Sequence, residues 1–301
     1  MAKKVFFLRY TVELKRLQQS RASFKELSEY LESHSEFTDE VIDFSKRTFQ
    51  RDMQDIRAIF NIYILYDRKT KTYFIDSADI STTTDRMLET FEMFNALNLT
   101  DDLSNFIHFE KRKPQGTHHF HGLLHCIKNH FVVSFPYHKY DDDIIVNRKV
   151  EPYALKEFKS RWYLIAKDQN DKDVKTFGLD RIQELNITKK KFTPPENFNA
   201  NALYKDYFGI VNSSGNKAEE IILSFDSFNG KYIKSFPLHK SQQILVDNEK
   251  ETRIKLFLHT TLDFEIELLS HGDRVKIIAP ESLRKRMREI YKSAMDKNNE
   301  Y

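Results

Sequence analysis

The sequence predicts an α+β chain of several domains. Three observations lead there. The first eighty residues give three helical stretches and then a hairpin. The middle gives short strands separated by polar turns. The last hundred give strands and helices in the order βαββαβ, with one more helix at the end. A chain of 301 residues has room for two or three such units.

Composition sets the outer bounds. Hydrophobic residues make up 40% and charged residues 31%, the balance of a soluble globular protein. Aromatics reach 13%, so large rings can fill the cores. Cys126 is the single cysteine, which excludes an intrachain disulfide and a cysteine-based zinc site. That fits a reducing cytoplasm. The basic start "MAKKVFFLRYTVELKR" has no long apolar core and no small-residue cleavage site, so no secretory signal is expected. No apolar run approaches the ~18 residues of a membrane span. The net charge of +3 decides little, but its placement is informative. Lys3, Lys4, Arg9, Lys15, Arg16, Arg21 and Lys25 stand against Glu13 alone in the first 25 residues. A local basic excess attracts phosphate.

The N-terminal elements follow in order. Phe6, Tyr10, Leu14 and Leu17 recur at helical spacing. Ser23 followed by Glu26 reads as a capping box, and Phe24, Leu27, Tyr30 and Leu31 supply an apolar face behind it. Ser45 is the expected N-cap of a third helix, whose stripe is Phe49, Met53, Ile56 and Phe60. Its other face carries Lys46, Arg47, Gln50, Arg51 and Gln54, with Asp52 and Asp55 diluting the charge. Arginine reads guanine edges and glutamine adenine edges in the major groove, and lysine and arginine hold phosphate. "IYILYD" and "TYFID" then alternate around the turn "RKTK", a hairpin whose basic tip includes Arg68 and Lys69. Three helices and a basic hairpin make a winged helix-turn-helix, with the recognition helix at roughly 45–59 and the wing at roughly 61–76. Double-stranded DNA is the expected partner of those seven residues.

Residues 81–112 read as helical, with Met87, Leu88, Phe91, Phe94 and Leu97 as the apolar positions of a connecting helix or dimer element. In "THHFHGLLHCIKNH", His118, His121 and His125 could share a helix face and suit a metal. No acidic ligand lies close by and no HExxH is present. An amphipathic helix buried through Phe120, Leu123, Leu124 and Ile127 is the better reading, and neither metal nor cofactor is expected. The strands "HFVVSFPY", "DDIIVNRKVEPYAL", "RWYLIAKD" and "VKTFGLDRI" follow, as in a small barrel. Trp162, Leu164 and Ala166 alternate with Tyr163, Ile165 and Lys167, so both faces of that strand are largely apolar.

Here the sequence resembles a known family. Trp162-Tyr163-Leu164 is the triplet that names the WYL domain. "RKVEPYAL" matches its Arg-x-Val-x-Pro segment and "KTFGLDRI" its Leu-Asp-Arg-Ile segment. The three stand in the family's order within about 35 residues. The resemblance extends over nearly the whole chain and implies a bacterial transcription regulator. Its parts are a winged helix-turn-helix (1–78), a helical linker (79–115), a WYL domain with an Sm-like β-barrel (116–195) and a C-terminal WCX extension (205–301). It also implies an anionic effector, a nucleotide or single-stranded nucleic acid, held by Tyr137, Arg148, Lys175 and Arg181. A guanidinium grips phosphate with two parallel bonds and a ring stacks on a base. Lys175 replaces the family's usual arginine, and Gly178 stands where a second basic residue is common.

After "KKKFTPPENF", which reads as a linker, the βαββαβ order predicts a ferredoxin-like sandwich. It resembles the WCX extension. The final helix sets Leu283, Met287, Ile290 and Tyr291 on one face and Arg284, Lys285, Arg288 and Lys292 outside it. A homodimer is expected. No Walker-type loop, paired metal-binding carboxylates or nucleophile elbow is present, so no enzyme is expected. The competing reading is a non-catalytic accessory module that acts on a partner protein or a nucleic-acid enzyme.

Overall fold

The computed structural model describes residues 2–35, 44–75, 90, 116–170, 173–196, 198–212 and 217–299. The chain divides into two compact units, Met1–Glu110 and Lys111–Tyr301. The expected connecting helix at 81–112 lies outside the described residues apart from residue 90.

The first unit holds helices α1 (Ala2–Gln19), α2 (Phe24–Ser35) and α3 (Lys46–Phe60), then strands β1 (Ile64–Asp67) and β2 (Thr72–Ile75). Both helix starts form as the sequence predicts. Glu26 accepts from the Ser23 amide at 2.6 Å while its own amide donates to Ser23 Oγ at 3.3 Å. Thr48 N–H donates to Ser45 Oγ at 3.1 Å. The left-handed Asn61 ends α3, returning its amide to the Arg57 carbonyl. Phe49, Ile56 and Phe60 are buried, and Phe49 meets Tyr73 edge-on at 4.8 Å. The hairpin is also held by its backbone, since Ala22 and Tyr73 exchange amide bonds of 3.0 and 2.7 Å.

Two expectations fail in this unit, for one reason. Asp52 does not dilute an exposed face. It is fully buried, and Arg9 grips it through Nε at 2.5 Å and Nη2 at 2.7 Å. Arg9, itself buried, therefore adds nothing to a basic surface. Asp55 is also engaged, accepting from Tyr10 Oη at 2.7 Å. Glu13 completes the buried group, 3.8 Å from Arg9 Nε.

The second unit opens with helix α4 (Phe120–Asn129) and a five-stranded antiparallel sheet: β3 (Phe131–Lys139), β4 (Ile144–Phe158), β5 (Arg161–Asp168), β6 (Val174–Gly178) and β7 (Asn186–Lys191). The strand order is β6-β5-β4-β3-β7. The barrel expected from the sequence is not closed: β6 and β7 are the two edges, and no ladder joins them among the described residues. The chain leaves β6 through a 3-10 turn, Leu179–Arg181. Its backbone then meets β3 at the Tyr137–Ile182 bridge and through the Gln183 amide, which donates to the Pro136 carbonyl, before β7 forms. The sheet still curls enough for Phe177 on β6 to pack edge-on against Phe135 and Tyr137 on β3, at 5.7 and 5.2 Å. α4 closes this core with Leu123 and Cys126.

Helix α5 (Ala200–Leu203) leads to the second sheet. Its strands are β8 (Glu219–Asp226), β9 (Gln243–Asp247), β10 (Glu251–Leu258) and β11 (Val275–Ala279), all antiparallel in the order β11-β8-β10-β9. Helices α6 (Ser227–Ser235), α7 (Leu262–Ser270) and α8 (Glu281–Asn298) join it. Ile233, Phe264, Leu268, Leu283 and Met287 from these helices meet Ile221, Leu223, Phe225, Ile254 and Leu256 of the strands. The element order is the βαββαβ plus helix that the sequence predicts.

The segment between the two sheets is bonded to both. Thr176 on β6 shares a 2.7 Å hydrogen bond with Tyr204 Oη and donates to the Ile210 carbonyl at 3.2 Å. Asp263 on α7 accepts the amides of Ile210 and Val211 at 2.7 and 2.8 Å. Gly209 makes the close approach to Asp263 possible: its φ is +93°, and a Cβ there would run into the carboxylate. Phe208 sits between Phe158 and Phe264, 5.7 Å from each ring.

Candidate nucleic-acid interface and ligand site

On α3, burial through Phe49, Asp52, Ile56 and Phe60 turns the opposite face to solvent. Lys46, Arg47, Gln50, Arg51 and Gln54 are all exposed there. Two of the cations are steadied by rings. Arg51 lies 5.4 Å above Phe6 and Lys46 lies 5.8 Å above Phe24, which limits the freedom lost when either meets an anion. Arg68 and Lys69 are exposed at the hairpin turn, where Asp67 accepts the Lys69 amide at 2.8 Å and fixes the bend. Arg57, which the sequence reading did not single out, is exposed on the same helix and packs 4.6 Å above Tyr63.

In the five-stranded sheet, Tyr137 and Arg181 come together. The guanidinium of Arg181 lies 4.9 Å from the Tyr137 ring and 5.1 Å from the Tyr140 ring. Tyr140 was missed by the sequence reading, and no periodicity marks it, because it lies in the polar turn after β3. Tyr137 is 5% exposed, and its hydroxyl accepts the Gly178 amide at 3.1 Å. Burial pushes this phenol above its ordinary pKa against the pull of Arg181, so it stays neutral. Gly178 has an ordinary extended backbone, and its role is space. A Cβ there would meet Asp180 Oδ1 at 2.6 Å and Arg181 Nε at 3.2 Å. The place of the missing basic residue is thus filled by the Asp180 and Arg181 side chains. Asp180 is held in turn by Arg161 at 3.2 Å.

The other two expected residues sit differently. Arg148 donates through Nη1 to the fully buried Asp168 at 2.8 Å. It also lines a cleft of about 440 Å³ with Pro136, Asn147, Glu184 and Asn186. Lys175 lies on β6 opposite Ala166 of β5, and the ring contact between Tyr137 and Arg181 is made without it. Trp162 packs edge-on against Phe120 at 4.8 Å and borders the core beside Leu164 and Ala166. His119 is buried with Nε2 3.1 Å from the Ile182 carbonyl, and burial lowers its pKa. Among the described residues, no group of three or more His, Cys, Asp or Glu is placed to hold a metal. No helix among them is long and apolar enough to cross a membrane.

Comparison with known proteins bears on this arrangement. No curated protein matches the sequence. One similar solved structure is proteasome accessory factor B/C (PafBC) of Arthrobacter aurescens. The match covers 99% of this chain and 48% of that one, at 19% identity and a TM-score of 0.39, so this chain spans about half its length. A CRISPR Cas-related protein is similar over 99% of this chain and 85% of its own, at 14% identity and a TM-score of 0.42. The family matches fall on the second unit, with the WYL domain at residues 118–187 and the WCX domain at 217–295. The first spans α4 and nearly all of the sheet around Tyr137, and the second spans the β8–β11 sheet and its helices. The chain thus carries a WYL domain followed by a WCX domain.

Proposed function

We propose that the protein is a non-catalytic, DNA-binding transcription regulator with an anionic effector site in its WYL domain. The observation that carries the reading is the exposed row of Lys46, Arg47, Gln50, Arg51 and Gln54 opposite the buried stripe of α3. The adjoining hairpin, bonded to Ala22 and tipped by Arg68 and Lys69, supports it as a wing. α3 then enters the major groove and the wing tip lies along the phosphates. A homodimer presents two such helices to a two-fold operator. The open, curled β3–β7 sheet supports an Sm-like reading, and the β11-β8-β10-β9 order a ferredoxin-like one.

The test is DNA affinity. Arg47→Ala with Arg51→Ala should weaken operator binding by about 2–6 kcal/mol, from about 1–3 kcal/mol per base-reading or charge-assisted contact. A gel-shift series at fixed salt measures it. An unchanged affinity would remove α3 as the recognition helix.

In the effector site, Arg181 between two tyrosines supplies a guanidinium for a phosphate, with the Tyr140 ring beside it for a base. Lys175 adds charge from β6, while Arg148 serves chiefly to neutralise Asp168. An oligothymidylate of twelve nucleotides is a suitable probe. Arg181→Ala should lower its affinity at least tenfold and leave operator binding intact. Equal affinity in wild type and variant would exclude Arg181 as a ligand.

A further inference from the structure

β7 is one edge of the five-stranded sheet, and among the described residues no strand pairs with its outer side. Its ladder with β3 shifts register between the Phe131–Lys191 and Val133–Ile187 pairs, and the Lys190 amide donates to Thr188 Oγ1 at 3.3 Å, but the rest of an unpaired edge offers backbone donors and acceptors to an extended chain with fitting side chains. The end of β7 carries Lys189, Lys190 and Lys191, all exposed. Lys128, exposed near the end of α4, stands three residues before Phe131, the register partner of Lys191. None of the four pairs with a carboxylate among the described residues, whereas Lys139, Lys159, Lys234, Lys255 and Lys285 each do. The chain then turns through Phe192 and Pro194 over a cleft of about 320 Å³ that also takes in Ile127, His130, Tyr153 and Phe198. That size is at the lower end for ligand pockets and suits one inserted side chain.

We propose that β7 takes up an extended acidic segment of a partner polypeptide as a sixth strand. Its carboxylates would meet Lys128 and Lys189 to Lys191, and an apolar or aromatic side chain would enter the cleft. Strand addition draws affinity from main-chain hydrogen bonds and specificity from alternate side chains. Lysines on an edge repel apolar strands and other basic ones, so they select an acidic partner. Nucleic acid fits this face less well. The rings already pack on one another, Tyr153 on Phe198 at 4.6 Å and on Phe192 at 5.8 Å, and leave no row of open faces for bases. The inference does not depend on the DNA-binding reading or on the Tyr137–Arg181 site.

The experiment uses the full chain and three fluorescent probes. They are a peptide of alternating glutamate and valine with a central phenylalanine, the same peptide with a proline replacing an inner valine, and a twelve-nucleotide oligothymidylate. Fluorescence anisotropy should show the first peptide binding. The proline version keeps the charge but interrupts a ladder, so it should bind at least tenfold more weakly. Lys189→Glu with Lys191→Glu should weaken the first peptide at least tenfold. No binding overturns the proposal, as does equal binding of the proline peptide or indifference to the charge reversal. Oligothymidylate that displaces the peptide and is lost in the same variant assigns the face to nucleic acid and also overturns it.

Discussion

Asp52→Ala is expected to destabilise the N-terminal unit by about 3–5 kcal/mol, the usual cost of stripping one partner from a buried ion pair. Arg9 would keep its buried guanidinium and lose both short hydrogen bonds. Glu13 limits the damage, because its carboxyl lies 3.8 Å from Arg9 Nε. In the wild type, burial and then the Asp52 charge hold Glu13 well above the usual carboxylate range, which favours its protonated form. With Asp52 gone, Glu13 can ionise as the counter-ion of Arg9. Asp52→Ala with Glu13→Gln should therefore be less stable than Asp52→Ala alone.

The pH dependence has the opposite sense to that of a salt-bridged acid. Glu13 has a raised folded pKa, so its contribution is complete below the unfolded glutamate value. It is lost as pH climbs from there through the folded value. Glu13→Gln alone should remove that loss and stabilise the unit at neutral pH. Urea titrations followed by far-UV circular dichroism measure both effects. The single tryptophan, Trp162, lies in the second unit and provides the control. Its emission transition should not move. A shift in the Trp162 transition without one in the dichroism would contradict the assignment.

Arg148→Ala is expected to lower the stability of the WYL sheet by about 3 kcal/mol, again by leaving a buried charge without its partner. Asp168 is fully buried, and besides Arg148 its carboxylate accepts the Asn170 amide at 3.0 Å. Here the Trp162 emission in urea is the measurement. Asp168→Asn added to Arg148→Ala should recover part of the loss, since an amide needs no counter-charge; the double-mutant cycle gives the coupling. A stable Arg148→Ala would refute the scaffold role. A lost effector response in this variant has to be read against its stability, whereas Arg181, partly exposed and outside any buried pair, reports on ligand more directly.

Local signals made much of the chain legible. Ser23 with Glu26, and Ser45 as an N-cap, announce helix starts because caps act within one turn. The α3 face was readable for the same reason, since helical spacing alone sorts Lys46, Arg47, Gln50, Arg51 and Gln54 from Phe49, Ile56 and Phe60. Asp52 was misread because a carboxylate is normally a solvent residue. Its partner lies 43 residues away, and no local pattern carries that pairing. Arg148 and Asp168 are a second case, 20 residues apart. The open sheet was out of reach for a related reason. Strand count and turn spacing predict antiparallel neighbours, but closure depends on how β6 leaves the sheet, and that is set by a three-residue turn. Gly178 looked like a missing charge, and only the folded chain reveals that Asp180 and Arg181 fill its place.

The bonded segment between the two sheets bears on how far this chain is modular. The family boundaries end at 187 and resume at 217, as if the intervening residues were a tether. Yet Tyr204, Phe208, Ile210 and Val211 are the mortar between the sheets, joined to Thr176 and Phe158 on one side and to Asp263 and Phe264 on the other. A fragment cut at either boundary would carry a raw surface where that mortar was. A chimera that exchanged one domain for a homologue's would inherit the same mismatch unless the seam travelled with it. In inheritance the pieces are two, but in folding they are closer to one.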